Sequence, residues 1–229
     1  MFQPLAGIRV IDVTQVLAGP YAAYQLGLMG AEVLKIEAPG IGDWSREKGE
    51  LPDLNAEGMG LTYLTQNANK KSVTLNLKTP EGLAIMKRLI EGADVVLENY
   101  RGGVLDRLGF GYEAVKAIRP DIIYASASGW GGSGPMKDEP GQDLLVQARC
   151  GLIAVTGDLE TAAAVPGVPV VDVHGAALMA MAICAAYVRK LTTGEGTRIE
   201  SNLLSAGLDL QGEAMSGYFS GKLGQDWVR

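Results

Sequence analysis

Histidine is almost absent from this sequence. The 229-residue chain has one, His174, so no site built on two or three imidazoles can form. That removes the common catalytic zinc arrangements and the H-E-x-x-H hydrolases, and any Ser-His-Asp triad has to use His174. Cysteine is scarce as well. Cys150 and Cys184 stand alone without C-x-x-C spacing, so neither a disulfide framework nor a zinc ribbon is encoded, and a reduced, cytoplasmic compartment is expected. Positive charge is in deficit, with 20 Lys and Arg against 26 Asp and Glu and a net charge of −6. Such a chain has no general pull toward nucleic acid or an anionic membrane, so an anionic ligand needs a local cationic cluster. Long uncharged apolar runs are also missing. Met1-Phe2-Gln3-Pro4-Leu5 lacks the basic region of a signal peptide, and the most apolar stretch, 168–188, carries Asp172 and His174 within it. Neither export nor a membrane span is expected.

What is present reads as a soluble α/β chain, with 47% hydrophobic and 20% charged residues and a length that suits one large domain. Residues 8–14 (IRVIDVT) form a β-branched run, Gly19-Pro20 opens a helical pattern over 21–29 ended by Gly30, and 31–37 (AEVLKIE) is a second strand. This is a βαβ unit, with parallel strands and a right-handed crossover. The unit recurs. Strands are expected over 71–77, 94–98 and 121–126, with a helix starting at Thr79 (N-cap) and Pro80 and another over 112–118. Residues 129–141 form a glycine- and proline-rich connection, expected at the carboxyl edge of the sheet. Helices over 142–155 and 175–191 follow, separated by a loop over 157–169 that ends in a short strand at 168–171. A turn at 192–196 leads to a strand-like piece at 198–201. The fold expected is a doubly wound, mostly parallel, Rossmann-like sheet with helices on both faces.

Several places could carry chemistry. Residues 129–134 (GWGGSG) match G-x-G-x-x-G literally, but Pro135 and Pro140 break the helix that a dinucleotide site needs, so a mobile loop over a substrate is the better reading. Asp172, just before a helix, reads either as an N-cap or as a carboxylate kept ionised by helix amides and able to attack an activated acyl group. Asp143 has the same ambiguity between cap and site residue. His174 reads as a satisfied structural histidine. Asn67, Asn69, Lys70 and Lys71 precede one strand, and Arg101 and Arg107 flank a turn after another. If both turns lie at one end of the sheet, their cations converge on a phosphate-bearing ligand.

Taken in order, several segments resemble the class III CoA-transferases, the family that includes formyl-CoA transferase, carnitine CoA-transferases and α-methylacyl-CoA racemase. They are Pro4-Leu5-Ala6-Gly7-Ile8-Arg9-Val10 with Asp12, Leu17-Ala18-Gly19-Pro20, Gly30-Ala31-Glu32-Val33 with Lys35-Ile36-Glu37, and Gly42-Asp43 with Arg46. Further on come Asn69-Lys70-Lys71-Ser72, Leu97-Glu98-Asn99-Tyr100, Leu105-Asp106-Arg107-Leu108-Gly109, Asp172 with Gly175, and Thr193-Gly194-Glu195-Gly196. The likeness runs through nearly the whole chain.

The resemblance implies that Asp172 is a catalytic nucleophile on an acyl-CoA thioester, with Asp143 and Gln15 as further candidates beside it. It also implies that Val16, Leu75, Asn99, Tyr100 and Arg107, together with Lys71, contact CoA. The thioester is a substrate, and no metal or permanent cofactor is implied. The partners implied are an acyl-CoA and a carboxylic acid acceptor, with a homodimer of interlocked subunits or a complementing chain. Residues 1–200 are then a CoA-binding α/β domain, and 201–229 a helical linker toward the family's smaller second domain. Ala38 and Leu17 depart from formyl-CoA transferase, so formyl or oxalyl specificity does not carry over. Gln142 stands where the racemase branch places a proton-transferring histidine. Transfer is therefore favoured over racemisation, and an inactive or incomplete CoA-binding piece is the third reading.

Overall fold

The structure is a computed structural model that describes residues 2–157 and 164–221. Six strands, β1 (Arg9–Asp12), β2 (Glu32–Glu37), β3 (Lys71–Thr74), β4 (Val95–Glu98), β5 (Ile123–Ser128) and β6 (Thr197–Asn202), form one sheet in the order β3-β2-β1-β4-β5-β6. Every neighbouring pair is parallel, with Val10 aligned to Val33 on one side and to Val95 on the other. The helices are α1 (Ala18–Leu28), α2 (Pro52–Ala56), α3 (Leu61–Asn67), α4 (Pro80–Glu91), α5 (Val104–Arg107), α6 (Tyr112–Ile118), α7 (Asp143–Arg149), α8 (Val170–Thr193), α9 (Leu203–Asp209) and α10 (Gly212–Phe219).

The sheet is covered on both faces, so its central strands read as apolar runs rather than alternating ones, and all of β4 is buried. On one face Val10, Val33, Val95, Leu97 and Ile123 pack against α1 and α8 through Ala22, Leu26, Met179 and Ile183. On the other, Ile11, Ile36, Val96 and Tyr124 meet Met86 and Ile90 of α4 and Val115 of α6. A smaller apolar cluster of Trp130, Val146, Val171, Leu203 and Ala206 ties α7, α8 and α9 together. β6 spans Thr197–Asn202, and α9 packs against α7 and α8.

The doubly wound sheet is as expected from the alternating pattern. Thr79 caps α4, its hydroxyl accepting the Gly82 amide at 3.2 Å, with Pro80 in the first turn. Beyond the strand expected over 71–77, which ends at Thr74, three local expectations differ. The stretch 168–171 is not a strand: Pro169 is the N-cap residue of α8, which begins at Val170 and runs 24 residues, so Asp172 sits in its first turn rather than before it. A Val-rich run is as compatible with a buried helix as with a strand, and Pro169 starts a helix well because its φ is already near the helical value. α7 stops at Arg149, because Gly151 takes φ +89° and turns the chain. α1 begins at Ala18, with Gly19-Pro20 inside its first turn. Residues 158–163 of the expected loop and 222–229 of the expected linker lie outside the described residues. α8 is long and apolar enough to span a membrane by length and composition, but it lies against the sheet, with Val171, Gly175, Ala176, Met179, Ala180, Ile183 and Ala186 buried.

Candidate active site

In this strand order β1 and β4 are neighbours whose following helices leave to opposite faces, which opens a crevice at their carboxyl ends. An open cleft of about 1010 Å³ lies there. Its wall includes Gln15 and Val16 from the loop after β1, Asn99, Tyr100, Arg101 and Arg107 after β4, and Asp143, Gln147 and Asp172 from α7 and α8.

The loop after β1 is held in a costly shape. Val16 has φ +74°, a left-handed conformation that a β-branched residue rarely adopts. Its amide points onto the Asp43 carboxylate, 3.2 Å from both oxygens. Asp43 is itself fixed by Lys35 Nζ at 2.9 Å and by Ser45 Oγ at 2.7 Å, and Lys35 also donates to the Thr14 carbonyl at 2.8 Å. Lys35 and Asp43 are fully buried, as is Asp12, which accepts from Lys70 at 2.8 Å. Burial pushes the Asp12 carboxyl upward, but the charges of Lys70 and Lys35 outweigh it and hold it below the usual range. Beside this cluster, burial also raises Glu37. The hydrogen bonds from Arg46, Ser72 and the Asp43 amide reverse that and bring it to about 2. The sequence hint was Lys35 itself, a lysine set between Leu34 and Ile36 inside a strand, since lysine is almost never fully buried unless paired.

Two loops are then laced across the crevice. The Gln15 amide donates to Asn99 Oδ1 at 2.8 Å, Asn99 Nδ2 returns a bond to the Gln15 carbonyl at 2.7 Å, and Gln15 Nε2 reaches the Tyr100 hydroxyl at 3.4 Å. Below them the Glu98 carboxylate accepts the Tyr100 amide at 2.8 Å, and burial, with Asp106 adding, raises that carboxyl to about 7. Arg101 and Arg107 face the cleft and form no ion pair among the described residues.

On the opposite wall, Asp143 Oδ2 accepts the amides of Val171 and Asp172, both at 2.9 Å, while Gln147 Nε2 donates to Oδ1. The N-terminal amides of α8 are thus capped by Asp143, not by Asp172. The Asp172 carboxyl faces the cleft with no hydrogen-bond partner among the described residues. Burial, then the negative charge of Asp143, push it up to about 7. The local expectation that helix amides keep Asp172 ionised is therefore reversed, because those amides are already taken.

Of the residues expected to act together, the cleft gathers Asp172, Asp143, Gln15, Val16, Asn99, Tyr100 and Arg107. Leu75 lies in the apolar layer beneath α4, and Lys71 is bonded to Glu32 at 2.7 Å on the outer part of the sheet. The two basic turns do not converge: Lys70 is consumed by Asp12, Asn67 and the Pro20 carbonyl, and only the two arginines reach the cleft. His174 pairs with Asp209 at 2.7 Å on the far side of α8, a structural arrangement. The glycine-rich connection leaves and returns through a narrow neck. A Cβ on Gly129 would stand 2.4 Å from the Gly141 Cα, and Trp130 Nε1 donates to the Pro140 carbonyl at 3.2 Å.

A model of CoA-transferase family III matches residues 5–226. The chain belongs to this family. It is 40% identical over 220 residues to succinyl-CoA:glutarate CoA-transferase of Mus musculus, covering 96% of this chain and 50% of that protein. It is 36% identical over 211 residues to formyl-CoA:oxalate CoA-transferase of Rhodopseudomonas palustris, covering 92% and 48%. A crystal structure of a CaiB/BaiF family protein from Brucella suis superposes with a TM-score of 0.90 at 32% identity, covering 98% of this chain and 60% of that one. The chain spans about half the length of the curated relatives it matches. As a family III chain, it shares its doubly wound fold with the Brucella suis protein over nearly its whole length.

Proposed function

We propose that this domain binds an acyl-CoA in the cleft and transfers CoA between carboxylic acids through Asp172. One observation supports the reading above all. Among the described residues, the buried carboxylates Asp12, Glu37, Asp43 and Glu98 are ion-paired or hydrogen-bonded, whereas the Asp172 carboxyl is half-buried, unpartnered and open to the cleft. A carboxylate with pKa near 7 is ionised in part at neutral pH and more nucleophilic than a solvated one. The names of the Mus musculus and Rhodopseudomonas palustris relatives, both CoA-transferases, support the same class of reaction.

In this scheme the Asp172 carboxylate attacks the thioester carbonyl, forming a mixed anhydride and releasing CoA thiolate. The thiolate attacks the aspartyl carbonyl, expelling the donor acid and leaving an aspartyl-CoA thioester. The acceptor carboxylate attacks that thioester to give a second anhydride, and the thiolate then takes the new acyl group and frees Asp172. The energy of the thioester is preserved only where water is kept from the anhydride. Arg101 and Arg107 supply the cationic mouth that a nucleotide phosphate needs on an acidic protein, while Val16, Asn99 and Tyr100 line the path between them and Asp172. Racemisation is disfavoured, because Gln142 lines the cleft where a second base is needed and His174 is engaged with Asp209 away from it. Intact-mass measurement of the full chain after mixing with a panel of acyl-CoAs is expected to show a hydroxylamine-sensitive adduct that maps to Asp172. Absence of an adduct across a broad panel rejects the reading.

A further inference from the structure

We infer that Asp143 is the positioning residue of this site: its carboxylate, presented by α7, caps the helix that carries Asp172 and holds that carboxyl in the cleft. The inference rests on the reading of Asp172 as nucleophile and goes beyond it. α8 has no cap of its own, since Pro169 at its N-cap position offers no side-chain acceptor. Asp143 supplies the missing acceptor from a different helix, and one of the two amides it takes belongs to Asp172. The backbone of the reacting residue is thereby pinned, while its side chain has no bond among the described residues.

The cap is itself held in place. Gln147, one turn further along α7 and 1% exposed, donates to the other carboxylate oxygen of Asp143. Val146, between them, is fully buried against Val171, Leu203 and Ala206, which locks α7 onto α8 and α9. Among the described residues Gln147 Oε1 is buried without a partner, so this glutamine is spent on orienting Asp143 and gains nothing from its own second polar atom.

Asp143 also acts on Asp172 through its charge, which opposes ionisation of the nucleophile. The other charged groups at the cleft are Arg101 and Arg107 across it and Lys137, Asp138 and Glu139 on the loop before α7, with the His174 and Asp209 pair on the far side of α8. Geometry and charge separate in two substitutions. Asp143→Asn keeps an acceptor for both amides, with Gln147 turning its own amide over to accept, and deletes the charge. Asp143→Ala deletes both.

The test follows the rate of adduct formation at Asp172 against pH in the full chain, for the native protein, Asp143→Asn, Asp143→Ala and Asp172→Asn, with circular dichroism and Tm on each. Misplacing a reacting group by about an ångström costs roughly 100-fold, so Asp143→Ala is expected to slow acylation by about 10- to 100-fold, with CoA affinity changed by less than about threefold. Asp143→Asn is expected to keep the rate within about threefold and to move the acid limb of the pH profile down by about half a unit or more. An Asp143→Ala protein that is folded, less thermostable and fully active overturns the inference. So does an Asp143→Asn protein as slow as Asp143→Ala with an unmoved profile, because the carboxyl then acts on substrate directly. If Asp172→Asn still forms the adduct, the nucleophile assignment fails, an outcome separate from either result at Asp143.

Discussion

Replacing Asp172 by Asn is expected to make the protein more stable at neutral and alkaline pH while abolishing adduct formation. The native carboxyl is raised from its ordinary 3.8 to about 7, first by burial and then by Asp143. Below pH 3.8 the carboxyl is protonated whether the chain is folded or unfolded, and it contributes nothing to pH dependence. As pH rises from there to 7, the unfolded chain releases this proton and the folded chain keeps it, so the native state loses stability progressively until the loss is complete above 7. A shift of about three units corresponds to about 4 kcal/mol as an upper bound. The carboxyl faces solvent in an open cleft, which reduces the figure to about 1–2 kcal/mol. For a chain of this size that is a Tm gain of roughly 2–8 °C. Denaturant melts of both proteins at pH 4.5 and pH 8 measure it: the gain should be small at pH 4.5 and full at pH 8. An Asp172→Asn protein equally or less stable at pH 8 refutes the claim that this carboxyl is held at an energetic cost.

Lys35→Met leaves Asp43 buried without its cation and is expected to destabilise by about 3–5 kcal/mol in urea melts, far more than the loss of a surface pair. Arg107→Ala is expected to weaken CoA binding by about tenfold, corresponding to roughly 1.4 kcal/mol, and to flatten its salt dependence. Lys71→Ala, whose partner Glu32 is half exposed, should leave affinity unchanged in calorimetry of the same samples. Because Glu37 is held at about 2 against its ordinary 4.5, its contribution to stability is present above 4.5 and is lost as pH falls toward 2. Glu37→Gln should flatten the acid limb of the stability profile in that window.

The sheet and most of the site were legible for different reasons. Strands such as β4 are buried on both faces and carry no competing pattern, and Thr79-Pro80 is a start signal that needs no tertiary help. The run before Asp172 is ambiguous between strand and helix on local grounds, and the acceptor that caps it lies 29 residues earlier in the chain, which no local window contains. Local sequence likewise placed Asp172 before the helix amides but could not show that Asp143 occupies them. Lys70 and Lys71 read alike as basic residues, yet one is buried under α1 with Asp12 and the other lies outside with Glu32. Only the offset of β3 against β2, in which Leu34 pairs with Lys71, distinguishes them.

The neck between Gly129 and Gly141 has an evolutionary consequence. Because the connection departs and returns at two touching α-carbons, the residues between them form a cassette, apart from Trp130 and Met136, which pack against the cluster of α7, α8 and α9: its length and composition can change without moving β5 or α7. Lys137, Asp138 and Glu139, which it contributes to the cleft wall, can therefore be exchanged independently of the Asp143 and Asp172 apparatus. The fold thus keeps the Asp143 and Asp172 pair and this segment of the cleft wall on separately variable stretches of chain.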